Sequence, residues 1–295
     1  MFGNGNGNAV ATAAMDDAAW LAARRKVLTA TDSPAILGLH PTKSAFQVFV
    51  EKTEGVELTP MDERMRWGQR HEPTIAAAYQ EETGRQVLPP RERLSLHATI
   101  PWLGASLDRL VVDAERGPGV LELKTTAKDV SRELPVHWQV QVAHQMEVAG
   151  VAWGSIAVLI AGSRMLWFDL DRSDRFLRGL LRKLECFWKH HVQARVPPPI
   201  DGSESCARAL AAYYAAASEQ SVDLPPESAE WAREYLTAQG ELRIWEARKT
   251  KAQNAICAAL GAATVGTAVD GTRFSWRPNA RGGRVFRVMG QGGAR

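Results

Sequence analysis

The sequence predicts a mixed α/β (α+β) fold, with a central mixed sheet flanked by helices and a helical plus small-β C-terminal extension. Three observations carry this. Short strand-like runs cluster between residues 85 and 170, helical patterns precede, interrupt and follow them, and Pro197-Pro198-Pro199 separates them from a second helical pattern. The 295 residues, 45% apolar and 23% charged, suffice for one sizeable core with an appendage. The expected organisation is a tail at 1–14, a core domain at 15–196 and an extension at 197–295.

Met1 to Ala14 has no Lys or Arg to open a signal peptide, and its Gly-Asn alternation buries almost nothing, so it reads as a disordered tail. From Asp16 the pattern turns helical around Trp20, Leu21 and Ala23. Thr29-Ala30-Thr31-Asp32-Ser33-Pro34 supplies start signals for a short helix near Asp32 or Ser33. A longer helix is predicted over Met61 to Thr83, with Gly84 as its stop. Strands follow at Arg85–Leu88, Leu103–Val112, Gly119–Thr125, Ser155–Ile160 and Met165–Leu170. Amphipathic helices are predicted over Val136–Val148 and Ser173–Gln193. Beyond the prolines, Trp231, Tyr235, Ala238, Leu242, Trp245, Ala252 and Ile256 recur in alternating steps of four and three, interrupted only by Lys249. That is the packing seam of a long helix or helical hairpin. Small strands are expected at Thr267–Val269, Arg273–Trp276 and Val285–Val288.

Thirty-six basic against 33 acidic residues leave +3, so global charge does not mark a nucleic-acid binder. Cys186, Cys206 and Cys257 are too few for a disulfide framework, a four-cysteine zinc site or a cysteine-held iron-sulfur cluster, which favours a reducing, cytoplasmic compartment. The apolar stretch Val148 to Ala161 falls well short of the roughly 20 residues a membrane span needs. Between Gly271 and Arg295 stand six arginines and no acid, with Phe274, Trp276 and Phe286 among them. This segment suits a grip on phosphates or single strands, and equally a pairing surface between subunits.

The chemistry concentrates in Ser106-Leu107-Asp108 and Glu122-Leu123-Lys124. Residues two apart on a strand share a face, so Glu122 and Lys124 point one way while Leu121 and Leu123 face the core. If the preceding strand pairs with this one, Asp108 joins them. Two carboxylates with a backbone carbonyl, Leu123 for instance, suit a hard cation such as Mg²⁺ or Mn²⁺, and Lys124 would orient a water or offset phosphoryl charge. The same pattern also describes a solvated salt-bridge face.

Further motifs extend the pattern. In order, Arg24 with Val27-Leu28-Thr29-Ala30-Thr31-Asp32, then Trp67-Gly68-Gln69-Arg70-His71-Glu72, Leu103 to Asp108, Leu121 to Lys124, and Gln141-Val142-Ala143-His144-Gln145-Met146 resemble the phage lambda-type exonuclease, or YqaJ-like viral recombinase, family of the PD-(D/E)xK nuclease superfamily. The resemblance implies a restriction-endonuclease-like PD-(D/E)xK core. It implies that Glu72, Asp108, Glu122 and the Leu123 carbonyl hold Mg²⁺ (or Mn²⁺), two ions per site. Asp108, Glu122, Lys124 and Gln141 would be catalytic, and Arg24 and Thr31 would take a 5′ phosphate. The family usually has glycine where Arg109 stands, and Arg70-His71 ahead of Glu72 is not a strict match. His137 and His144 read as supporting or surface groups, and Trp102, Trp138 and Trp167 as core.

The resemblance further implies a 5′ to 3′ exonuclease that degrades one strand of linear duplex DNA and leaves 3′ overhangs for recombination. A ring-shaped homotrimer and a single-strand-annealing protein as partner come with it. An endonuclease or resolvase-like enzyme on the same core, and a non-catalytic DNA-end-binding scaffold, are the competing readings.

Overall fold

A computed structural model describes residues 15–216, 219–280 and 282–291. The predicted tail at 1–14 lies outside the described residues. The described residues form two compact units that divide between residues 216 and 219.

The first unit opens with α1 (Asp17–Arg25), α2 (Ser33–Ile36), α3 (Ala45–Thr53) and α4 (Glu63–Thr83). Asp62 caps α4 by accepting from the Met65 N–H, and Gly84 ends it in the left-handed region at φ 68°. Then come β1 (Gln86–Leu88), β2 (Ser95–Leu96), β3 (Gly104–Ala105), β4 (Arg109–Asp113), β5 (Gly117–Thr126), α5 (Val136–Ala149), β6 (Trp153–Ile160), β7 (Arg164–Asp171), α6 (Asp174–Phe187), a π-helical turn (Trp188–Gln193) and α7 (Glu204–Tyr213). The main sheet has the order β1-β4-β5-β6-β7, and it is antiparallel except for β5 and β6, which run parallel with α5 as the crossover between them.

Both faces of this sheet are covered. Ile75, Ala76 and Tyr79 of α4 pack on Val111, Leu121, Leu123, Trp153 and Ala157. The other face, with Val120, Ile156 and Val158, meets residues of α2, α3, α5 and α6. Gly154 lets α5 lie close, because a Cβ there would stand 2.7 Å from Val142 Cγ1.

Two expectations are corrected in this unit. The run Leu103–Val112 is two strands: β3 pairs with β2, β4 pairs with β1 and β5, and the chain crosses between sheets at Ser106–Asp108. The proline run does not end the core domain at 196, because α7 packs on α3. There Cys206 and Ala209 are fully buried, and Ser205 is hydrogen-bonded to the Ser44 N–H and to Gln47.

The second unit contains α8 (Ser228–Leu260) and a three-stranded antiparallel sheet of β8 (Val265–Thr267), β9 (Thr272–Pro278) and β10 (Arg284–Gln291). The seam lies on one uninterrupted 33-residue helix. None of that helix's side chains is fully buried, and from Trp231 to Ala252 the expected packing stripe is exposed, while Ile256 near the helix end is half-buried. No helix among them is long and apolar enough to cross a membrane.

Candidate active site

β5 is the middle strand, so the acidic cluster does not form at the edge of the sheet. It forms where β4 stops: Arg109 opposite Leu121 is the last pair on that side, and β5 continues with that edge unpaired while β6 stays paired on the other. Asp108 fills the gap, and its Oδ2 accepts the Leu123 N–H at 2.8 Å. A strand residue's N–H and C=O lie on the same edge, so the Leu123 carbonyl faces the same gap. The Leu123 side chain points the other way, into the core under α4.

Glu122 points toward α5 and is 2% exposed, which removes the reading of a solvated ion-pair face. Every neighbour it has there is a donor. Lys124 Nζ lies 2.5 Å from Oε1, Gln141 donates Nε2–H to Oε1 at 2.6 Å, and Gln145 donates Nε2–H to Oε2 at 2.6 Å. Lys124 also donates to Gln141 Oε1 at 3.1 Å. Burial alone would lower the Lys124 ammonium, but Glu122 and Asp108 hold it above its ordinary value. Burial and the charge of Glu122 push the Asp108 carboxyl well above the usual carboxylate range. The pocket therefore carries more acid than its one lysine neutralises.

Glu72 stands apart from this knot. Its Oε2 lies 3.8 Å from Arg109, whose guanidinium also donates to the Asp108 carbonyl at 2.5 Å. Burial raises the Glu72 carboxyl, with Arg109 opposing the shift. Arg109, the departure from the family pattern, thus bridges Asp108 and Glu72 across the gap. Among the described residues no three His, Cys, Asp or Glu side chains converge into a metal cage. The donor set at Asp108, Glu122 and the Leu123 carbonyl still suits Mg²⁺, which keeps several waters and takes one or two carboxylates.

A second cluster adjoins the first. Arg24 donates to Ser106 Oγ at 3.1 Å, Thr29 Oγ1 at 3.4 Å and Thr31 Oγ1 at 3.2 Å, and its guanidinium lies 4.7 Å from the Trp20 ring centroid. Asp32 is not the side-chain cap of α2. It turns back to accept from the Thr29 N–H and hydroxyl, at 2.9 and 2.8 Å, and it pairs with Lys43 and Lys52. Ser106 joins the clusters, since its hydroxyl receives Arg24 and its carbonyl lies 3.4 Å from Gln145 Nε2. His144 is buried between Ser33 Oγ (2.6 Å) and the Gly104 carbonyl (2.9 Å), and burial lowers its pKa to about 4. His137 stacks edge-on with His40 at 5.6 Å.

Asp108, Glu122, Lys124 and Gln141 therefore meet, Arg24 and Thr31 meet beside them, and Glu72 lies across Arg109. Sequence reasoning missed Gln145, Ser106, Thr29, Lys43 and Lys52. Gln145 follows Gln141 by four residues and so shares its helix face, a readable signal. Thr29 joins through near neighbours, Arg24, Thr31 and Asp32, and the others through contacts more distant in sequence.

The fold and cluster define a mixed α/β domain with a buried carboxylate-lysine-glutamine site. Residues 19–152 match the model of a YqaJ-like viral recombinase domain. The chain is 26% identical over 246 residues to the uncharacterized protein YqaJ of Bacillus subtilis, covering 80% of this chain and 76% of that one. Among solved structures it is similar to an alkaline exonuclease from Laribacter hongkongensis, at 21% identity and TM-score 0.48, over 60% of this chain and 93% of that one. It is also similar to a phage-related exonuclease from Haemophilus somnus, at 10% identity and TM-score 0.46, over 57% of this chain and 95% of that one. At these identities the structural likenesses speak to neither substrate nor mechanism.

Proposed function

We propose that the protein is a metal-dependent exonuclease that degrades one strand of linear duplex DNA from its 5′ end. The observation that carries this reading is the juxtaposition through Ser106 of an acid-rich pocket and a cationic hydroxyl pocket. The first is suited to a divalent ion and the second to a terminal phosphate. The recombinase-domain match supports a DNA substrate.

Asp108, Glu122 and the Leu123 carbonyl would hold Mg²⁺ or Mn²⁺. The ion, once bound, supplies Lewis-acid charge and a water of lowered pKa. Lys124 offsets charge developing on the scissile phosphate, already fixed in direction by Gln141. Gln141 and Gln145 hold the Glu122 carboxylate in one orientation. Arg24, with the Thr29 and Thr31 hydroxyls, binds the 5′ phosphate and so sets where the strand stops relative to the scissile bond. The ring-shaped homotrimer and the annealing-protein partner belong to this proposal and are testable by particle mass and co-purification.

The experiment compares linear duplex bearing 5′ phosphate or 5′ hydroxyl with closed circular duplex, each with and without Mg²⁺. The proposal expects digestion of linear DNA only, faster with 5′ phosphate, and Arg24→Ala erases that preference while slow digestion persists. Cutting of closed circles would favour an endonuclease.

A further inference from the structure

Among the described residues the α8 seam leaves large apolar side chains exposed: Trp231 is 59% exposed, Tyr235 67%, Leu242 64% and Trp245 61%. Its alternating four- and three-residue steps make the heptad pattern of a left-handed coiled coil. Ile256, near the helix end, is half-buried already, which leaves the stretch 235–252 open.

We infer that α8 pairs antiparallel with α8 of a second copy of this chain, with Leu242 against Trp245 on each side of the two-fold axis. This goes beyond the proposed nuclease and does not depend on it. The seam itself selects the direction. In a parallel, in-register pair each residue meets its own copy: Trp245 on Trp245, Ala238 on Ala238 and Lys249 on Lys249, which gives overpacking, a gap and a buried like-charge pair. Reversing one helix about the point between Arg243 and Ile244 sets Tyr235 against Ala252, Ala238 against Lys249 and Leu242 against Trp245. Large then meets small, and the Lys249 stem lies over an alanine with its ammonium free to reach water.

The flanking charges choose the same arrangement. Glu241 and Arg248 occupy the same flank of the seam, and antiparallel flanks of one kind face each other. In this register Glu241 of each copy meets Arg248 of the other, twice by symmetry. The parallel pair would instead set Glu241 against Glu246. Sliding the antiparallel pair by one heptad sets Glu241 on Glu241 in one direction and Arg248 on Arg248 in the other. Only one direction and one register satisfy both seam and charges.

The test is particle mass by sedimentation, measured on the full chain at micromolar concentration. Glu241→Arg and Arg248→Glu are each expected to weaken pairing about tenfold and halve the mass, because each puts like charges together. The halving is expected whether the unit joined is one chain or a ring. The double variant Glu241→Arg with Arg248→Glu restores pairing, with helix content by circular dichroism equal in all four proteins. Wild-type mass insensitive to both single reversals overturns the inference, as does stronger pairing in Glu241→Arg, the parallel signature, or failure of the double variant to restore it.

Discussion

Glu122 holds its place because every neighbour donates to it. Each carboxylate oxygen offers two lone pairs. Oε1 serves Lys124 and Gln141, and Oε2 serves Gln145 alone, so Oε2 keeps a lone pair that would be available to a bound ion. Gln145 is 1% exposed, and its own Oε1 is the buried side-chain atom among the described residues that has no partner. A polar group in that state costs about 1 to 3 kcal/mol, a cost that folding alone would select against. Gln145→Leu keeps the volume but leaves Glu122 Oε2 without its donor. Nuclease turnover is expected to fall about 10- to 100-fold, the size seen when supports of metal ligands are removed, with thermal stability nearly kept. Unchanged turnover would mean that Glu122 needs no orientation from α5. This residue carried a readable signal, its four-residue spacing from Gln141, that was given no role, whereas Asp108, Glu122 and Lys124 were legible because strand alternation alone puts Glu122 and Lys124 on one face. The bridge from Arg109 to Glu72 was not legible, since it depends on how α4 crosses β4.

Among the elements, α2, β3 and α5 are tied together by one imidazole. His144 accepts from the Ser33 hydroxyl and donates to the Gly104 carbonyl, a pattern open only to the neutral ring. Its folded pKa of about 4 lies below the ordinary 6.5, so the unfolded chain takes up this proton first as the medium is acidified. The contribution is therefore whole above pH 6.5 and is lost as pH falls toward 4, at about 1.4 kcal/mol per pH unit. His40, also lowered by burial to about 4, acts in the same direction. Urea midpoints at pH 7 and pH 5 should drop more for the wild type than for His144→Gln, and the difference isolates this ring. Equal drops would show that His144 protonates as readily folded as unfolded.

Element positions were mostly legible and their breaks were not. Gly84 announced the end of α4. The crossing at Ser106–Asp108 was missed although Gly104, Ala105 and Asp108 are poor strand formers, because the break is set by Asp108 taking the Leu123 N–H, a contact distant in sequence.

For the whole molecule, the proline run misled because proline reports only that a helix cannot continue, while the extent of a unit is set by burial. Tyr213, packed between Phe46 and Phe49, shows how far beyond the prolines the core reaches. The α8 seam was legible as a pattern, yet its exposure was not, since periodicity marks an apolar face without telling what covers it. The central claim rests on Asp108, Glu122 and Lys124 acting as one hydrolytic site. Its most direct test is release of acid-soluble nucleotides from linear duplex DNA in Mg²⁺, measured for the wild type, Glu122→Ala and Lys124→Ala. The account predicts Mg²⁺-dependent release by the wild type and a loss of about a thousandfold or more in each variant. Retained release by folded Glu122→Ala would contradict it.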